Sequence, residues 1–172
     1  MVLEYESKEF AYGFVWNALM SNVPSPKTPF KTRTVGRLVA VQALFQIEQT
    51  GASPTSVVLE FLNHRLKDKE SGLSKVDTTF FAKLTEGAWA AHDSSDEVIC
   101  GALKAGWPFD RIESVTRAIL RAALYELLET KTPTAVIIDE YLNITHDFFD
   151  DKEVSFVNGI LNAIAKKIRV QS

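Results

Sequence analysis

Cysteine is almost missing from this chain of 172 residues: Cys100 stands alone, so no disulfide can form within it. A single thiol fits a reducing cytoplasm without requiring one. Long apolar runs are missing as well. No stretch approaches the roughly 18 apolar residues that a membrane-crossing helix needs, and no membrane is expected. The nearest approach is FAYGFVWNALM (10–20), which resembles the apolar part of an export signal. Glu4, Glu6 and Glu9 outnumber Lys8 ahead of it, where such a signal carries positive charge. It is read instead as an extension or a short extra helix.

Signatures of catalysis are scarce too. Neither GxxxxGK[ST] nor GxGxxG occurs, which removes the two commonest glycine-rich phosphate cradles. His64, His92 and His146 are far apart and match no cysteine ligand spacing, so no metal is expected. Asp139 and Glu140 are adjacent, and on a helix their side chains diverge by about 100°, which rules out a carboxylate dyad. Ser155 and Asn158 have no activating neighbour in sequence. Neither an enzyme nor a cofactor is expected.

One further absence is informative. Between Glu9 and Glu48 there is no Asp or Glu, yet Lys27, Lys31, Arg33 and Arg37 lie there. The net charge is −3, with acids gathered in clusters such as Asp147, Asp150, Asp151 and Glu153. An acidic chain with a segregated basic arm suits a localised phosphate contact. It equally suits a tail kept basic for solubility.

What is present is helical. VPSPKTPF (23–30) is an extended linker, and a first core helix is expected from about Thr34 to Gln49, stopped by Gly51. Within it LVAVQALF (38–45) is apolar on nearly every side, so other helices must enclose it and only the first turn, with the arginines, reaches solvent. Ser53 and Pro54 open a second helix, KDKESGLSK (67–75) is a loop, and Asp77 caps a third through Trp89. HDSSDE (92–97) breaks the pattern, with Ser94 or Ser95 capping a short helix that ends near Ala105. GWP (106–108) is a break. Further helices are expected over 112–130, after Thr132-Pro133, and from about Val154 to Ile168. No period-2 strand is evident. The fold class is all-α, with about seven helices.

Several stretches in one order resemble the bacterial transcription antitermination factor NusB family. They are RTVGRLVAVQALFQ (33–46), VTRAILRAALYELL (115–128), and PTAVIIDEYLNI (133–144) followed by FVNGIL (156–161). VDTTFFAKLTEGAW (76–89) is a fourth, weaker match. The resemblance implies two packed helical subdomains, about 31–91 and 92–172, preceded by an extension and Pro-rich linker over 1–30. It also implies a cytoplasmic protein that binds boxA-type RNA with NusE, a small-subunit ribosomal protein, and joins an RNA polymerase antitermination complex without catalysis.

By the same resemblance, Lys31, Arg33 and Arg37 would hold RNA phosphates. Phe45 stands at the family's RNA-facing Tyr and could stack without donating a hydroxyl bond. Phe156 offers a ring face or belongs to the core, and both readings stand. Arg117 and Arg121 share a helix stripe that either faces NusE or is simply solvated, and the exposed face of 95–128 is the expected protein-partner region. Asn158-Gly159 is expected to permit close helix packing, with Asn158 bonding backbone. Trp89 and Trp107 are expected in core or junction packing.

This sequence also departs from the family. The arginine-rich start is thinner, Ser155 replaces a basic residue beside Phe156, and Thr116 stands where a Glu can meet RNA. Fewer phosphate contacts predict weak RNA binding alone and dependence on NusE. Two other functions remain open. One is the RNA-binding part of a ribosomal-RNA cytosine methyltransferase, which would need a further cofactor-binding α/β domain. The other is a helical scaffold or homodimer without an RNA role.

Overall fold

The computed structural model describes residues 32–67 and 76–171, and among them all regular structure is helical. The expectations for 1–31, and for most of the loop at 67–75, fall outside the described residues. Seven α-helices follow one another among the described residues. They are α1 (Thr32–Thr50), α2 (Pro54–Glu60, continued by a wide π turn over Phe61–Arg65), α3 (Thr78–Ala90) and α4 (His92–Ala102). After a short 3-10 turn at Phe109–Arg111 come α5 (Ser114–Glu129), α6 (Thr134–Phe148) and α7 (Asp151–Gln171).

Local chemistry sets many of the ends. Gly51, at φ +70°, takes the left-handed conformation that stops α1, its N–H reaching the Ile47 carbonyl at 2.9 Å. The Ser53 hydroxyl accepts from the Ser56 N–H at 3.2 Å, with Pro54 in the first turn of α2. Asp77 accepts from the Phe80 N–H at 3.0 Å and starts α3.

Two starts differ from the sequence reading. Only Ala91 interrupts the run from α3 to α4, and neither Ser94 nor Ser95 caps: Ser95 is buried inside α4, while Ser94 donates to the Ala91 carbonyl. The His92 ring stacks on Trp89 at 4.2 Å, holding the polar HDSS stretch in helical register. Helix α7 starts at Asp151 because the Asp150 carboxylate accepts from the N–H groups of Lys152 and Glu153, both at 3.2 Å. The helix thus begins about one turn earlier than the expected Val154, and Ser155 lies in its second turn.

Helix α1 is the central element, as its apolar composition demands. Val39, Ala40, Ala43 and Leu44 are wholly buried, and the helix packs against α2, α3, α5 and α6. Ion pairs fix its polarity against α5: Arg37, early in α1, binds Glu126 late in α5, and Glu48, late in α1, binds Arg117 early in α5. The two helices run antiparallel. The two ends of α1 thus carry different partners, and the candidate site residues divide between them.

Candidate nucleic-acid interface

At the start of α1, Arg33 and Arg37 share one face, as their spacing of four predicts: each guanidinium lies 5.3 Å from the centre of the Phe80 ring. Gly36 makes room for that ring, since a methyl group there would lie 2.9 Å from Phe80 Cδ1. The two arginines then part company. The Arg33 side chain is 60% exposed and only loosely paired, 3.9 Å from Asp77. Arg37 is 4% exposed. Its Nε and Nη2 donate to the Glu126 carboxylate at 2.8 and 2.9 Å, and Nη1 reaches Glu140 at 3.3 Å. The Tyr141 hydroxyl donates to Glu126 at 2.7 Å and completes the cluster.

Burial works against the Arg37 charge. The hydrogen bond and charge of Glu126, with the charges of Tyr141 and Glu140, outweigh it and hold its pKa above the ordinary value. Burial, and then Glu126, push the Tyr141 phenol well above its ordinary range. The expected phosphate role of Arg37 is therefore corrected. Its donors are engaged by carboxylates, and it ties α1 to α5 and α6.

The fold adds cations that the sequence did not flag. Lys83 of α3 and Lys131 of the α5–α6 connection line the same open cleft as Arg33, with Asp77 and Glu129 among the other residues there. Nothing in their local sequence marks them, because only the tertiary fold brings them beside Arg33.

Near the opposite end of α1, Phe45 is half-buried against the core. Phe156, in the second turn of α7, is also half-buried, its ring centre 6.3 Å from that of Trp107. Trp107 is 46% exposed, so it stands outside the core and meets Phe156 at the α4–α5 junction, the second of the two places expected for it. Thr116 is fully buried and donates to Glu153 at 2.6 Å, so the position where the family's Glu can meet RNA is covered here. Gly159 is exposed, and a methyl group there would meet nothing within 4 Å, so it mediates no close helix packing. Asn158 accepts from Asn162 at 2.7 Å on the same exposed face.

Arg117 and Arg121 do not present a free stripe to a partner. Both donate to Glu48, and Arg121 also binds Asp96 through two hydrogen bonds of 2.7 Å. Arg121 is 5% exposed and lies against the rings of Trp89 and Phe109. Burial alone would raise the Glu48 carboxyl, but hydrogen bonds from Arg117 and Arg121 and their charges hold it below the ordinary carboxylate range. The network joins α1, α4 and α5, so neither open reading of the two arginines, facing NusE or simply solvated, describes them.

No group of three or more His, Cys, Asp or Glu that could hold a metal occurs among the described residues. No helix among them is long and apolar enough to cross a membrane.

Comparison with known proteins places this geometry. The model of the NusB family matches residues 34–166. Transcription antitermination protein NusB of Caulobacter vibrioides is 42% identical over 140 residues, covering 80% of this chain and 94% of the relative. The protein of the same name from Sinorhizobium fredii is 41% identical, covering 87% and 97%. Among solved structures, the antitermination factors NusB and NusE in complex with dsRNA include a chain matched with TM-score 0.66 at 25% identity, covering 81% of this chain and 99% of that one. T. maritima NusB matches with TM-score 0.64 at 32% identity, covering 83% and 94%. With its central α1, its all-helical architecture and a family match over most of its length, the chain belongs to the NusB family.

Proposed function

We propose that this chain is a transcription antitermination factor that binds boxA-type RNA together with NusE and joins an RNA polymerase antitermination complex in the cytoplasm. The observation that carries the reading is Arg33. Within a chain related over most of its length to NusB antitermination proteins, the opening turn of the central helix holds out a largely exposed guanidinium on an aromatic ring. NusB, NusE and RNA occur together in a solved relative, which supports the same partnership here.

Arg33 and Lys31 would hold phosphate, and Phe45 and Phe156 would offer ring faces to bases. Lys31 lies outside the described residues, so its part rests on its place beside the first turn. The exposed face of 95–128, where Val98 is 40% exposed, is assigned to NusE. The protein has no catalytic part to play.

The test is binding of a labelled boxA RNA and a scrambled control, with and without NusE, at two salt concentrations. Preference for boxA that tightens with NusE is expected. Equal, feeble binding to both RNAs in the presence of NusE would remove the reading and favour a scaffold.

A further inference from the structure

We infer that Trp107 is a base-stacking residue, and that Trp107, Phe156 and the bare backbone at Gly159 form a site for an unpaired nucleotide of RNA. The inference rests on the RNA-binding reading above and names residues that carry it. Trp107 lies in the α4–α5 connection, where its N–H bonds the Lys104 carbonyl at 3.0 Å. Its ring tilts at 41° to that of Phe156, so neither stacks flat on the other. A large aromatic ring left 46% exposed beside a second, half-buried ring is the arrangement that single-strand binders use for bases, since every base has a π face.

Gly159 supplies an independent observation. It follows Phe156 by three residues, which on a helix places the two on neighbouring turns of one face. Glycine inside a helix is destabilising relative to alanine, and no atom of the chain needs the space. The missing side chain leaves room for something outside the chain to come against the helix. Asn158 and Asn162, hydrogen-bonded to each other beside it, add exposed amides of the kind that read base edges.

The charge is suited to a base more than to a phosphate. Lys152 is exposed one turn before Phe156, and Lys104 is exposed in the Trp107 turn. Arg111 is exposed there too, and Asp110, Glu113, Asp150 and Asp151, exposed in the same segments, leave the patch near neutral, while Glu153 is turned onto the Thr116 hydroxyl. Phosphate holding falls to the Arg33 end, and stacking to this one.

The experiment measures binding of a single-stranded boxA-type RNA, and of the same sequence annealed into a duplex, to the full chain with NusE. Trp107→Ala is expected to weaken single-strand binding by about 5- to 150-fold, the range that loss of one base stack produces. The salt dependence stays as in the wild type because no phosphate contact is lost. Trp107→Phe should retain most of the affinity, and duplex binding should not change. Gly159→Ala should lower single-strand affinity while keeping or raising Tm, which a purely structural role would not do. Unchanged single-strand affinity in Trp107→Ala overturns the inference. Loss of NusE binding alone in that variant also overturns it, making Trp107 a protein anchor. A wild type that binds neither RNA form removes the RNA-binding reading itself, before any substitution is compared.

Discussion

At the scale of single residues, two arginines four positions apart have opposite fates. Arg37→Ala would strand the buried Glu126 carboxylate, and urea unfolding should show a loss of about 3–5 kcal/mol. Arg33→Ala should leave stability within about 0.5 kcal/mol, because its ion pair is exposed and long. It should instead weaken RNA binding and reduce the salt slope by about one unit. Helical spacing in the sequence was enough to put both side chains on one face. It could not tell which was buried, because Glu126 and Glu140 lie 89 and 103 residues further along the chain. Arg117 and Arg121 were misread for the same reason, their partner Glu48 being 69 and 73 residues away.

Glu48 gives a pH prediction. Its folded pKa is depressed below the ordinary 4.5, so its contribution to stability is fully present above that value and disappears as pH falls through the folded pKa. Glu48→Gln should therefore cost most near neutral pH, and its deficit should shrink on acidification below about pH 4.5. Unfolding free energies of both proteins at pH 7 and pH 3 check this.

At the scale of helices, the ends that local residues dictate were the legible ones. Ser53, Asp77 and Gly51 each act within four residues of themselves, and their roles could be read from the order of residues alone. Ser53→Ala should cost about 1 kcal/mol in thermal unfolding. The start of α4 was illegible because His92 is held by stacking on Trp89, which outweighs the turn preference of HDSS. In α7 the true cap, Asp150, sat in a run of acids where no single carboxylate stood out. Gly159→Ala in the same helix should raise stability by about 0.5–1 kcal/mol, since the added methyl meets nothing.

At the scale of the whole molecule, the all-helical class followed from hydrophobic spacing, and α1 was recognisable as central because its stretch LVAVQALF (38–45) is apolar on nearly every side. The site was half legible: its chemistry of arginine and aromatic rings could be named, but not which ring stands exposed. Trp107 belongs to a short connection with no periodicity to betray its burial. RNA affinity measured alone should be weak and should tighten when NusE is added, which fluorescence anisotropy can check. Sedimentation without RNA would reveal any self-association that competes with it.

The antiparallel seating of α1 on α5 sets a length. From Arg33 to the level of Glu48 the helix rises roughly 20 Å, at about 1.5 Å per residue. Cations gather at one end of that span, and the exposed Trp107 with the half-buried Phe156 lies toward the other. At a stacked rise of about 3.4 Å per nucleotide, a strand that stays stacked needs about six nucleotides to touch both, and an extended one fewer. The molecule then acts as a ruler: shortening the RNA below that length should produce a step in affinity, and the strand's polarity should decide which of its ends meets the arginine.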